Sequence, residues 1–349
     1  MSRELKYFQA LNEATDLCMA NDPRVQIMGL GVPDPKGVFG STLGLQEKYG
    51  PERVSDLPTA ENGMTGVAIG AALAGMRPIV THIRLDFAVL TLEQLVNQAA
   101  KWHYMFGGRM RVPLVVRMIV GRGWGQGPQH SQALHAWFAH VPGLRVVMPT
   151  TPHDAKGLLI SSIEDDNPVI VIEHRWLYNI SGPVPDGMYR VPIGRARVMR
   201  EGTDVTIVAI SYMALEALRA AEVLATHGIN AEVIDLRSLR PWDEEAVLHS
   251  VHKTRRLVVT DLAWKTGGFS AEILARVAEE GIPLDVPPRR LCLPDSPTPT
   301  SPALAAHYYP RAVDLERTVA AMFEIDMPEV HAPVAIPLDI PDMSFTGPF

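Results

Sequence analysis

The sequence predicts an α/β protein of two doubly wound domains, each a parallel sheet with helices laid over its faces. Three observations carry this. The chain has 349 residues, 47% hydrophobic and 20% charged, enough apolar side chain for two cores and too little charge for a disordered chain. Short β-branched runs alternate with longer stretches of helical period, the pattern by which parallel strands are connected. The alternation breaks once, at Ser181–Arg190 (SGPVPDGMYR), where two prolines and two glycines read as an irregular crossing segment.

In the first half, strands are expected at Arg77–Ile83, Val112–Ile119, Arg145–Met148 and Pro168–Glu173, with helices near Gly63–Ala74, Leu92–Phe106 and His153–Glu164. The last of these helices has its start written out. Thr151 supplies a capping oxygen, and Pro152 stands in the first turn, where a missing N–H costs nothing. The opening MSRELKYFQALNEA is polar and helical in pattern, without the apolar core of a secretory signal. Residues 1–190 form the first expected domain.

Beyond the crossing, strands are expected at Val205–Ile210, Ala231–Leu236, Leu257–Asp261 and Arg290–Leu293. Helical runs at Ala214–His227, Asp243–Val251 and Ser270–Glu280 separate them, which makes a second domain over residues 200–326. DSPTPTSP, Asp295–Pro302, suits neither helix nor central strand, and an amphipathic helix follows at about Ala312–Phe323. Residues 327–349 hold five prolines and no Lys or Arg, so an extended tail is expected there.

Composition excludes several classes of function. Lys plus Arg number 32 against 39 for Asp plus Glu, a net charge of −7 with no dense basic run, so nucleic acid is not an expected partner. The longest apolar stretch, Val67–Met76, is broken by Gly70 and Gly75 and falls short of the ~20 residues that cross a bilayer. No membrane is expected, and a cytoplasmic protein is. The two cysteines, Cys18 and Cys292, are too few for a disulfide framework and read as small buried residues. GxxxxGK[ST], HExxH, CxxC and GxSxG are all absent. GRGWGQG, Gly121–Gly127, lacks the GxGxxG spacing and reads as a mobile loop over a site.

Several blocks stand in one order. They are DLPTAENGMTGVAIGAALAGMRPI (Asp56–Ile79), LDFAVLTLEQLVNQAAKWHYMFGG (Leu85–Gly108), QHSQ (Gln129–Gln132), HVPGLRVVMPTTPHDAKGLL, SIEDDNPVIVIEH and VIDLRSLRPWD. From about residue 5 to residue 325 the chain resembles the beta subunits of the thiamine-diphosphate-dependent component of 2-oxoacid dehydrogenase complexes, of the pyruvate, branched-chain and acetoin types. The resemblance implies a pyrimidine-binding domain followed by a transketolase C-terminal-like domain. It implies decarboxylation of a 2-oxoacid and transfer of the acyl unit to a lipoyl carrier.

Thiamine diphosphate brings its own reactive carbon, so the protein needs to bind it, move a proton on its aminopyrimidine and exclude water. Glu61, just before Gly63, matches the family's glutamate that bonds the pyrimidine ring nitrogen. By itself it also reads as a surface glutamate at a helix start. Phe87 matches the aromatic that stacks on the ring, and Thr59 lies in the same cofactor-binding block. His130 matches the histidine that meets the substrate. His135 and His140, five apart, share no helix face and read as structural.

The family's diphosphate and Mg2+ are held by a Gly-Asp-Gly motif and an Asn-Asn pair on an alpha subunit. This chain has no Gly-Asp and no Asn-Asn dipeptide, so the resemblance implies half an active site, completed by an alpha partner in an assembly of two alpha and two beta chains. A lipoyl acyltransferase is a further implied partner. The resemblance also implies a monovalent cation, K+, at Leu114, Ser162, Ile163, Asp165 and Asn167, although EDDN reads equally well as a helix end and turn.

Leu30 and Thr81 stand where such beta subunits usually carry acids, and His82 and Arg84 follow. Strand alternation does not decide whether Arg84 faces the site or the outside. These departures keep two alternatives open. One is a subunit of a split transketolase or acyloin synthase that transfers a ketol or acyl unit to another carbonyl; the other is a silent scaffold.

Overall fold

A computed structural model of the chain describes residues 2–123 and 125–326. The tail expected over 327–349 lies outside the described residues. The chain divides into two compact units. Of the described residues, the first holds 2–120, 137–193 and 239–241, and the second holds 121–123, 125–136, 194–238 and 242–326.

The strands of the N-terminal half are β1 (Ser2–Lys6), β2 (Val25–Gly29), β3 (Val54–Ser55), β4 (Arg77–His82), β5 (Val115–Val120), β6 (Arg145–Val147), β7 (Val169–His174) and β8 (Ser181–Pro185). Those of the C-terminal half are β9 (Arg197–Arg200), β10 (Val205–Ala209), β11 (Ala231–Asp235), β12 (Ser238–Arg240), β13 (Leu257–Trp264) and β14 (Arg289–Leu293). A seven-stranded sheet in the order β12-β6-β7-β5-β4-β2-β3 forms the first unit's core, and its pairs β2–β4, β4–β5, β5–β7 and β6–β7 are parallel. β5 and β7 are buried along their whole length, which is why they show no apolar–polar alternation and are apolar except for Arg117 in β5 and Glu173 and His174 in β7.

A fully buried ion pair joins β5 to β7. The Arg117 guanidinium donates from Nε to Glu173 Oε1 at 2.6 Å and from Nη2 to Oε2 at 3.0 Å. Burial opposes the Arg117 charge, yet Glu173 outweighs it and raises the pKa above the ordinary arginine value.

The second unit's sheet runs β14-β13-β10-β11-β9, parallel except for β9, which pairs antiparallel with β11 at one edge. The helix Met213–Thr226 packs on β11, and Ala312–Ala321 packs on Met213–Thr226.

Three expectations are corrected. Residues 2–6 are a strand and the helix begins only at Tyr7, because β1 pairs antiparallel with β8, Ser2 opposite Pro185 and Glu4 opposite Pro183. The segment from Ser181 is therefore not irregular throughout. Pro183 and Pro185 fit since the pair has only two strands, so each has an edge where no N–H is needed. The helix expected over Leu92–Phe106 is regular only from Ala100 to Met105, with wider π turns over Gln94–Ala99.

Candidate active site

The first unit's sheet has a cavity at the carboxyl ends of β2 and β4. It measures about 50 Å³, and Gly29, Leu30, Leu57, Pro58, Thr59, Glu61, Met64, Thr81, His82, Ile83, Arg84 and Phe87 line it. Close approach of the two strands builds it. A Cβ on Gly29 would lie 2.3 Å from the Thr81 carbonyl oxygen, so glycine alone fits. The next turn is tied down by Asp56, whose Oδ1 accepts from Gly31 N and Leu57 N, both at 2.9 Å. That carboxylate fixes the start of the segment that carries Thr59 to the helix Glu61–Leu73.

Glu61 is the first residue of this helix, and Ala60 before it caps with no side-chain hydrogen bond. The carboxylate thus lies where the helix N-terminus favours negative charge. It is half-buried, lines the cavity and makes no hydrogen bond or ion pair to any described residue. Phe87 lies on the short helix Leu85–Ala88 after β4 and keeps 41% of its surface exposed although it lines the same cavity. Its backbone N–H donates to the Arg84 carbonyl at 3.2 Å, which locks the two residues together. An unpartnered carboxylate with Phe87, Met64 and Leu57 around it fits a flat heteroaromatic ring bearing a hydrogen-bonding nitrogen.

Arg84 faces inward. It is buried, lines the cavity, and holds its guanidinium 5.9 Å from the centre of the Phe39 ring. Thr81 and His82 are buried too, and neither Thr81 Oγ1 nor His82 Nε2 has a partner among the described residues. Burial lowers the His82 pKa to about 4, so the ring is neutral near pH 7.

His130 is on the 121–136 segment, which belongs to the second unit although it lies in sequence between strands of the first. The expected mobile loop is anchored. Arg122 Nε donates to the Gln126 carbonyl at 2.9 Å, and its Nη2 donates to the Thr300 carbonyl. A Cβ on Gly127 would stand 2.2 Å from Thr300 Oγ1. His135 Nε2 meets Asp261 Oδ2 at 2.8 Å with both side chains buried, which accords with a structural role. Its partner in β13 is 126 residues away in sequence, and no local pattern announces that pair.

The five residues expected to hold a monovalent cation gather where the helix Pro152–Glu164 ends. Oxygens of Leu114, Ser162, Ile163 and Asp165 accept hydrogen bonds from the protein. The Ile163 and Asp165 carbonyls accept from Arg77 Nη1 at 2.9 and 3.0 Å. Asp165 Oδ1 accepts from Asn167 N and Nδ2, both at 2.8 Å, and its Oδ2 lies 3.1 Å from Arg145. The Leu114 carbonyl accepts from Val169 N and the Ser162 carbonyl from Asp165 N. Arg77 and Arg145 bring positive charge to this point. Among the described residues no three His, Cys, Asp or Glu side chains form a metal-holding group.

A parallel α/β unit with a carboxylate and an aromatic ring in a cleft at its strand ends, followed by a second α/β unit, is the architecture of the transketolase class. Residues 3–181 match the transketolase pyrimidine-binding domain family and residues 194–315 the transketolase C-terminal domain family. The chain is 44% identical over 326 residues to the acetoin:2,6-dichlorophenolindophenol oxidoreductase subunit beta of Cupriavidus necator, covering 90% of this chain and 96% of that one. It is 43% identical over 321 residues to the pyruvate dehydrogenase E1 component subunit beta-2, mitochondrial, of Oryza sativa, covering 90% and 85%. A solved structure described as a split gene transketolase, inactive beta4 tetramer, superposes with a TM-score of 0.76 at 23% identity, over 92% of this chain and 99% of that one; this likeness bears on the fold. The chain belongs to the transketolase-like family of pyruvate and acetoin dehydrogenase beta subunits.

Proposed function

We propose that this chain is the beta subunit of a thiamine-diphosphate-dependent 2-oxoacid dehydrogenase-like enzyme, which decarboxylates a 2-oxoacid and passes the acyl unit to a lipoyl carrier. The observation that carries the reading is the unpartnered Glu61 carboxylate beside Phe87 in one cavity. Residues 1–190 serve as the pyrimidine domain and 200–326 as the C-terminal domain. When bound, the cofactor supplies a carbon able to add to a carbonyl and to accept the electrons that decarboxylation releases.

This chain's part is positioning and proton transfer. Glu61 holds a hydrogen bond to the pyrimidine ring nitrogen and moves the proton there. Phe87, with Thr59 at the rim, orients the ring and keeps water from it. His130 donates a hydrogen bond to the substrate carboxylate or to the oxygen on which negative charge develops. A scaffold role would leave the joint placement of Glu61 and Phe87 without a purpose.

The diphosphate and Mg2+ are assigned to an alpha subunit with a Gly-Asp-Gly motif, in an assembly of two alpha and two beta chains that serves a lipoyl acyltransferase. Exposed apolar side chains support a partner: Tyr104 is 88% exposed and Met105 65%, and Val67 and Leu90 are open as well. K+ is assigned to Leu114, Ser162, Ile163, Asp165 and Asn167, where it would share the Ile163 and Asp165 carbonyls with Arg77. A cytoplasmic setting agrees with two free cysteines, Cys18 and Cys292. No described helix is long and apolar enough to cross a membrane.

A second reading, a split transketolase or acyloin synthase that uses another carbonyl as acceptor, is favoured by Arg84 in the cavity. The test is reconstitution with the alpha partner, cofactor and Mg2+, followed by 2-oxoacid-dependent release of CO2 with an artificial electron acceptor and with aldehydes. Dye reduction supports the dehydrogenase, carbon–carbon bond formation alone supports the second reading, and no release of CO2 from any 2-oxoacid refutes the first.

A further inference from the structure

His82 is the last residue of β4, beside Met118 of β5 and one step past the pairing of Thr81 with Gly29 of β2. It therefore stands at the carboxyl end of a central parallel strand, where such sheets take their ligands. Only 8% of its surface is exposed, and it lines the cavity together with Glu61 and Phe87. Its Nε2 is buried without a hydrogen-bond partner, and the ring makes no hydrogen bond to any described residue. The other buried histidines each hold at least one. His135 Nε2 meets Asp261, and His174 Nδ1 accepts from Trp176 N at 3.3 Å. A buried polar atom left unpaired costs stability, which an apolar side chain of the same size would not. A histidine kept here without a partner in the protein has one in what enters the cavity.

The state of the ring narrows the kind of partner. Burial lowers its pKa to about 4, so near pH 7 it is neutral, with one N–H and one lone pair. Such a ring brings no charge to an anion. A hydroxyl can both donate to it and accept from it, whereas an alkyl chain does neither and leaves the nitrogen unpaired. We infer that His82 makes this site select a substrate or acceptor that carries a hydroxyl group apart from the carbonyl that reacts, with the imidazole as its hydrogen-bond partner. The inference rests on the cofactor assignment of Glu61 and Phe87 and adds a substrate class to it.

Matched pairs in the assembled alpha–beta enzyme test it. As 2-oxoacid the pair is hydroxypyruvate against pyruvate, and as acceptor it is glycolaldehyde against acetaldehyde; the members of each pair differ by one hydroxyl. The parent enzyme should favour the hydroxylated member of at least one pair in kcat/KM, and the pair that shows the preference identifies the molecule concerned. His82→Phe keeps a ring of similar shape and removes both nitrogens, and it should shrink that ratio by about 5–50-fold. His82→Gln, which keeps a donor and an acceptor, should hold part of the ratio, which separates loss of the hydrogen bond from damage to the fold. Calorimetry with glycerate and lactate, which have no 2-oxo group, reads the same contact without turnover: the parent should bind glycerate more tightly, and His82→Phe should bind the two alike. Equal kcat/KM within both pairs for the parent, or a fall in His82→Phe that is the same for both members, overturns the inference. If the parent still turns over pyruvate in that case, the reaction assigned above stands. If glycerate binds more tightly than lactate through His82 and no 2-oxoacid reacts, the inference stands and the reaction falls.

Discussion

Glu61 owes its standing to three local facts: it opens a helix, it is half-buried, and it has no partner among the described residues. A glutamate kept for capping would bond a backbone N–H, and this one does not. Glu61→Gln in the assembled enzyme is therefore expected to cost ~10²–10⁴-fold in kcat with unchanged folding, read from initial rates beside circular dichroism. Parent-like turnover would return Glu61 to the surface reading. His82 makes a separate prediction about stability. Burial lowers its folded pKa to about 4 from the ordinary histidine value of 6.5, so the unfolded state binds more protons between those values. Stability should be complete above about pH 6.5 and fall as the pH drops toward 4, by up to ~3 kcal/mol. In His82→Phe that part of the slope should vanish in denaturant titrations at stepped pH. An identical slope in both proteins would place the titrating group elsewhere.

Helix Pro152–Glu164 shows how an element can be written locally and used globally. Its cap is seen as expected, with Thr151 Oγ1 accepting from Asp154 N at 3.1 Å and Pro152 in the first turn. The helix packs against Tyr7–Asn21, and its last turn presents the carbonyls that Arg77 holds. Thr151→Ala should lower stability by about 1 kcal/mol, seen as a shifted urea midpoint with an unchanged slope. A shift near zero would mean that Asp154 or water satisfies the N-terminus without the threonine. The 121–136 segment is the opposite case. Arg122, Gly127 and His135 attach it to residues far along the chain, Thr300 and Asp261, and its glycine-rich wording by itself suggested only mobility.

For the whole molecule the expectation is incompleteness. The cavity holds the carboxylate and the aromatic side chain proposed to meet the pyrimidine but, with Glu61 its one carboxylate, no metal-binding set for a diphosphate among its lining residues. Thiamine diphosphate with Mg2+ should thus bind the isolated chain with a Kd weaker than about 100 μM, and tightly only once the alpha partner is added. Isothermal titration of each preparation decides this. Micromolar binding by the isolated chain would mean that it holds a diphosphate site of its own.

The sequence by itself determined the α/β class, most strand and helix positions, the family and the block around Glu61 and Phe87. These are carried by periodicity, caps and contiguous motifs, which are local in the chain. It missed β1 and β8, since five residues ahead of a helix and two prolines become strands only by pairing across 181 residues or so. It left the direction of Arg84 open because alternation ends with β4 at His82, and packing against Phe39 decides the side beyond that point. Only the tertiary structure assigned the His130 segment to the second unit and put Arg77 on the Ile163 and Asp165 carbonyls. Such contacts join residues far apart in sequence, and their geometry exists only once the chain has folded.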